Sequence, residues 1–118
     1  MLIIWLVYAD LDKPTPVQEA CIPEILGGKC VMAEAPTGCG KTMTFVIPLI
    51  EKWMQDPYGI FALVLAPTRE LVHQIAQQFH VLGGNKIKLL EVIGGVDMQD
   101  QSAQLYKRPH FVVATVGR

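Results

Sequence analysis

Long hydrophobic runs, a surplus of basic charge and a metal-like cysteine spacing are all missing from this chain. The apolar stretch over residues 1–10 is far shorter than the roughly 20 residues a helix needs to cross a bilayer. It has neither the basic start nor the small-residue cleavage site of a signal peptide. It therefore reads as a core-packing segment, and no membrane partner is expected. The formal net charge is −1 over 118 residues. No global basic field exists to attract nucleic acid, so any such contact must come from a local cluster and from backbone N–H groups. The three cysteines, Cys21, Cys30 and Cys39, are too evenly and widely spaced for a zinc site. Their odd number reads as reduced thiols in an intracellular protein, nuclear or cytosolic. Internal repeats and low-complexity segments are also absent. Hydrophobic residues, by contrast, make up 51% of the chain against 18% charged, which suits a buried α/β core and excludes disorder. The length allows one small domain at most.

One string organises the rest. Ala35-Pro36-Thr37-Gly38-Cys39-Gly40-Lys41-Thr42 has the form of a phosphate-binding loop. The apolar run Val31-Met32-Ala33-Glu34-Ala35 leads in and reads as a strand. Phe45, Val46, Leu49, Ile50 and Trp53 lead out at helical spacing. Gly38 and Gly40 allow a turn whose N–H groups face inward to cradle phosphate oxygens. The helix starting at the loop favours the same anion through its dipole. Lys41 suits the β- and γ-phosphates, and Thr42 can place its hydroxyl on Mg²⁺. The site thus calls for ATP and Mg²⁺, with Lys41 and Thr42 nearest the chemistry.

In chain order, Thr15-Pro16-Val17-Gln18 opens a first helix. Thr15 is a good N-cap, Pro16 fits the first turn, and Gln18 completes a capping box. A carboxamide can equally pair with adenine N6 and N7, so two roles stand open for Gln18. Pro23 interrupts that helix or starts a second turn, and Gly27-Gly28 ends it. Pro48 predicts a kink in the loop helix. Residues 60–65 form a continuous apolar run, expected of a strand buried on both faces. A helix follows with Leu71, Val72, Ile75, Ala76, Phe79 and Leu82 on one face, stopped by Gly83-Gly84. Residues 88–93, 96–106 and 111–114 read as strand, weaker helix and strand. The alternation predicts an α/β fold with a four-stranded parallel sheet flanked by helices. Each polar or glycine-rich signature sits just after a strand, the edge where open α/β sheets bind ligands. His73 and His80 lack a partner spaced to make a site, and Trp5 and Trp53 read as packing residues.

Together these stretches resemble a DEAD-box ATP-dependent RNA helicase of superfamily 2. The likeness is to the first part of its N-terminal RecA-like P-loop NTPase domain. Pro14-Thr15-Pro16-Val17-Gln18 is similar to the Q motif, and residues 35–42 to motif I. Pro67-Thr68-Arg69-Glu70-Leu71 is similar to motif Ia, Gly94-Gly95 to the GG motif, and Thr115-Val116-Gly117-Arg118 to motif Ib. The division implied is an apolar segment over residues 1–12 and a partial helicase ATP-binding domain over residues 13–118. The resemblance implies that Thr15 and Gln18 contact adenine. It also implies that Pro67, Thr68, Arg69, Gly94, Gly95, Thr115, Gly117 and Arg118 hold the RNA backbone. The residue types suit that work, since hydroxyls, guanidinium groups and helix N-termini bind phosphate without reading sequence. Arg69 has two further readings, a solvated pair with Glu70 or a bridge between motifs. Val116 departs from the family's usual proline. The family's upstream aromatic that stacks on adenine has no counterpart here. Residues 56–65 and 107–115 resemble the subgroup acting in ribosome biogenesis, which would place the protein in the nucleus or nucleolus.

The family's Asp-Glu-Ala-Asp string, its Ser-Ala-Thr motif and the second RecA-like domain do not occur in these residues. The Asp holds Mg²⁺ and the Glu orients the attacking water. The isolated chain is therefore expected to be a fragment without appreciable ATP hydrolysis, with sheet surface left bare. Two other readings remain: a non-enzymatic nucleotide-binding fragment, and a different P-loop enzyme such as a DNA helicase.

Overall fold

A computed structural model describes residues 13–117. The expected packing of residues 1–12, Trp5 included, and the role of Arg118 lie outside the described residues. The chain divides into two compact units, Met1–Gln55 and Asp56–Arg118.

In the first unit, helix α1 (Pro16–Leu26) packs on helix α2 (Lys41–Gln55). Cys21 and Ile22 of α1 and Val46, Ile47, Ile50 and Trp53 of α2 are buried. Val46, Ile50 and Trp53 of the expected stripe are buried, Phe45 and Leu49 are half-buried, and Ile47 is buried in their stead, so the buried face is turned slightly from the expected one. Trp53 is a packing residue, as expected. Thr15 caps α1 and Pro16 occupies its first turn. Pro23 lies within α1 and Pro48 within α2, and both helices run on past them. The expected break at Pro23 is therefore corrected: loss of one N–H donor leaves the turns on either side intact.

The strand expected over residues 31–35 is not formed. Val31 is exposed and Met32 is 101% exposed. A strand exists only through its ladder of cross-strand hydrogen bonds, and no described strand pairs with this stretch. Apolar composition supplied the propensity but not the partner. Of the four expected strands, three are formed among the described residues.

The second unit holds them all. Strand β1 (Ala62–Ala66), helix α3 (Arg69–Gly83), a 3₁₀ turn (Gly84–Lys86), strand β2 (Leu89–Val92), helix α4 (Met98–Tyr106) and strand β3 (Phe111–Thr115) follow in order. The sheet is parallel with β3 in the centre, in the order β1-β3-β2. The register sets Ala66 opposite Thr115 and Val92 opposite Ala114. Every residue of β3 is buried. Val72, Ile75, Ala76, Phe79 and Leu82 of α3 are buried as the periodicity predicts. The Phe79 ring lies 4.8 Å from that of Phe111, which also meets Phe61 at 6.1 Å. Full burial of such a ring is worth about 1.5–3 kcal/mol. The expectation that β1 is buried on both faces is corrected. Leu63 and Leu65 are 61% and 59% exposed. They alternate onto one face of an edge strand, and no described layer covers that face.

His110 ties the entrances of all three strands. Its carbonyl accepts from Phe61 N–H at 2.7 Å, and its N–H donates to Lys88 O at 2.7 Å. Lys88 N–H donates to its Nδ1 at 3.0 Å.

Candidate functional site

Two groups of residues stand out, one in each unit. In the first, residues 35–40 form an open loop ending where α2 begins at Lys41. Gly38 and Gly40 take φ values of +82° and +73°, a region that side chains beyond glycine rarely enter. The loop is held from α1. Thr15 Oγ1 donates to Cys39 O at 2.8 Å, and Gln18 Nε2 donates to Gly40 O at 3.2 Å. Gln18 Oε1 accepts from Thr15 N–H at 3.0 Å, the Gln half of the expected capping box. Gln18 is only 1% exposed. A Cβ on Gly40 would lie 2.5 Å from Gln18 Nε2, so the glycine lets the carboxamide reach the loop. One side chain thus caps a helix and braces a loop 22 residues away.

Lys41 Nζ donates to Ala35 O at 2.7 Å, spanning the loop from end to end. An ammonium has three donors, so this bond poises Lys41 over the loop with donors to spare. Thr42 is half-buried. A Cβ on Gly38 would meet nothing within 4 Å, so ligand atoms have room there. The loop therefore fits a polyphosphate: glycines that permit close approach, a helix N-terminus and a cation. For a hard divalent cation the loop offers the Thr42 hydroxyl. Among the described residues no three His, Cys, Asp or Glu side chains cluster as a metal site, so further oxygens would come from phosphate and water. A cavity of about 480 Å³ adjoins the loop, lined by Pro16, Val17, Cys21, Glu34, Pro36 and Cys39 among others. All three thiols are free, Cys39 being half-buried.

In the second unit the parallel register brings the C-terminal tips of β1, β3 and β2 to one edge. Pro67 and Thr68 follow β1, Gly94 and Gly95 follow β2, Thr115 ends β3 and Gly117 follows it. Thr68 caps α3, its Oγ1 accepting from Leu71 N–H at 3.2 Å. The Arg69 guanidinium lies against the Gly94-Gly95 turn. A Cβ on Gly95 would stand 3.0 Å from both terminal nitrogens. Of the three readings of Arg69, the bridge between motifs is the one whose contact is formed here. Thr115 is buried, while Val116 and Gly117 are exposed. The described RNA-backbone candidates thus share one edge.

Three features escaped the sequence reading. Gln101 is buried on α4 and donates from Nε2 to Ile93 O at 2.8 Å. His73 on α3 pairs through Nδ1 with Glu91 Oε2 on β2. A pairing across 18 residues has no local signature, since it depends on the crossover. His110, at the opposite end of the sheet, is held below the usual histidine pKa by burial, with the Lys88 charge adding to the effect.

The sequence profile of the DEAD/DEAH box helicase family matches residues 15–118. The chain belongs to this family. Among DEAD/DEAH box relatives, it is 53% identical over 109 residues to the ATP-dependent RNA helicase DBP8 of Yarrowia lipolytica, covering 92% of this chain. It is 51% identical over 119 residues to the probable ATP-dependent RNA helicase DDX49 of Homo sapiens, covering 97%. Each match covers 25% of the relative, so the chain spans about a quarter of their length. The RNA helicase Prp28 of Chaetomium thermophilum bound to ADP superposes with a TM-score of 0.83 at 34% identity, covering 99% of this chain and 30% of that one. The helicase Mss116 bound to single-stranded RNA and UDP-BeF gives 0.84 at 33% identity, covering 97% and 25%. The fold is thus that of part of a RecA-like helicase domain. No described helix is long and apolar enough to cross a membrane.

Proposed function

We propose that this chain is the ATP-holding and RNA-backbone-holding part of an ATP-dependent RNA helicase that unwinds short duplexes or remodels RNA–protein complexes. The observation that carries the reading is the brace from Thr15 and Gln18 onto the Cys39 and Gly40 carbonyls. It joins the Q-like stretch to the phosphate loop, so adenine contact and phosphate contact are mechanically one site.

In this reading Thr15 and Gln18 meet the adenine. Residues 35–40 and the α2 N-terminus receive the phosphates, and Lys41 leaves Ala35 O for the β- and γ-oxygens. Thr42 would hold Mg²⁺, which when bound would neutralise phosphate charge. Pro67, Thr68, Arg69, Gly94, Gly95, Thr115, Gly117 and Arg118 hold the RNA backbone through hydroxyl, guanidinium and N–H donors. Such contacts are blind to sequence, which suits a remodelling enzyme. A second RecA-like domain completes the clamp and supplies the arginine finger. The likeness of residues 56–65 and 107–115 to the ribosome-biogenesis subgroup supports rRNA processing in the nucleus. The 118 residues contain no Asp-Glu pair, so this chain alone holds nucleotide without hydrolysing it.

Titration with a fluorescent ADP tests the reading. Saturable binding, abolished in Lys41→Ala and made indifferent to the base in Gln18→Ala, supports it. Equal binding of a guanine nucleotide by the unaltered chain favours a different P-loop enzyme. Turnover above buffer background that is lost in Lys41→Ala contradicts the non-hydrolytic assignment.

A further inference from the structure

Gln101 is 5% exposed, yet it carries a carboxamide. An apolar side chain of similar length would fill the same position on α4 without desolvating a polar group. Its Nε2 donates to the carbonyl of Ile93, the residue between the end of β2 and the Gly94-Gly95 turn. From the other side, the Arg69 guanidinium lies on that turn, 3.0 Å from where a Gly95 Cβ would be and 3.5 Å from a Gly94 Cβ. Gly95 has φ +85°. Among the described residues Arg69 makes no ion pair and no hydrogen bond, and it is exposed. A guanidinium has five donors in a fixed plane, so the direction of that plane decides what it can grip. Here its two terminal nitrogens lie against the glycine turn.

We propose that Gln101 is a positioning residue: by holding the Ile93 carbonyl it fixes the Gly94-Gly95 turn, and through the turn it aims the Arg69 guanidinium at a phosphate of the RNA backbone. The aiming of Arg69 at phosphate rests on the RNA-binding reading above. The setting of the turn by Gln101 does not. In this arrangement Gly95 is glycine because Arg69 occupies the space of its side chain.

The experiment uses the ¹⁵N-labelled 118-residue chain and a single-stranded oligoribonucleotide. The variants are Gln101→Met, which keeps length and loses the amide, Gln101→Glu, which keeps shape and loses the donor, and Arg69→Ala. Loss of the Gln101 donor is expected to shift the Gly94 and Gly95 amide signals and the Arg69 Nε–H signal and to speed hydrogen exchange at Gly95. RNA affinity by anisotropy is expected to fall about tenfold, with ADP affinity unchanged. In an Arg69→Ala background the same Gln101 change is expected to cost less than twofold, because the residue it acts through is gone. A merely structural role would give additive losses and would weaken ADP binding as well. Unmoved Gly95 and Arg69 signals in Gln101→Glu, or additive losses, overturn the proposal. Should Gln101→Met fail to fold, Gln101→Glu and Gly95→Ala carry the same readouts, the added methyl displacing Arg69 directly. If the unaltered chain binds no RNA, the RNA-binding reading fails with the aiming of Arg69, while the spectra still decide whether Gln101 sets the turn.

Discussion

The two units hold their candidate binding loops by different routes. The second unit builds them on a sheet: three parallel strands end at one edge, and the loops inherit their positions from the register. The first unit has no strand among its described residues. Its loop is positioned by side chains instead, with Thr15 and Gln18 on the Cys39 and Gly40 carbonyls and Lys41 across the mouth. A sheet fixes the ends of its loops through many backbone bonds, which leaves a single side chain such as Gln101 only the fine setting of one turn. A loop braced by a few side chains concentrates the same task in a few atoms. The stability of the second unit should therefore depend on its aromatic core, and the function of the first on a handful of hydrogen bonds.

The largest effect is expected in the sheet-built unit. Phe111→Ala removes the ring between Phe79 and Phe61 and should cost about 3–5 kcal/mol of stability, read by denaturant unfolding. A loss under ~1 kcal/mol would show that the sheet does not depend on this cluster. Next comes the side-chain brace. Gln18→Ala orphans Thr15 N–H, leaves Gly40 O with Thr44 Oγ1 as its remaining side-chain donor, and should cost about 1–3 kcal/mol. Fluorescent-ADP affinity should fall with it, whereas Phe111→Ala should act chiefly on unfolding. Thr68→Ala removes the α3 cap and should cost about 1 kcal/mol by thermal melting, with Thr68→Ser recovering most of it. If Thr68→Ala cost as much as Gln18→Ala, the contrast between the two loops would dissolve.

The smallest effect is a pH dependence at the far end of the sheet. The folded pKa of His110 lies below its unfolded value of about 6.5. Its contribution is therefore fully present above that value and declines as pH falls through the window down to the lowered folded pKa, because the unfolded chain takes up the proton first. Protonation also removes the Nδ1 acceptor used by Lys88 N–H. Unfolding free energy measured from pH 7.5 downward should show this slope, and His110→Asn should flatten it.

Much of this was written locally. The capping stretch at Thr15, the stripe on α3 from Val72 to Leu82, the glycine stop at Gly83-Gly84 and the loop string at residues 35–42 each depend on neighbours within a few residues. Short-range rules therefore reach them. The strand over residues 31–35 could not be settled that way. Its apolar residues carry strand propensity, but a ladder needs a second strand, and propensity is silent about partners. Leu63 and Leu65 teach the same lesson: an apolar run says what a strand would bury, not whether a layer lies over it. Gln18 was legible as a cap and as an adenine contact. Its bond to Gly40 was not, because that bond spans 22 residues.

By itself, then, the order of amino acids determined the helices, the loop string, the parallel α/β class and the family. All of these follow from periodicity, caps, turn residues and motif strings that act over short separations. The tertiary structure alone decided which strands found partners and that Gln18 braces the phosphate loop. It alone placed Arg69 on the glycine turn and Gln101 behind that turn. The physical reason is common to these cases: each contact spans more residues than local rules reach, 8 for Gln101 and Ile93 and 22 for Gln18 and Gly40, so it forms through packing between elements rather than through local preference.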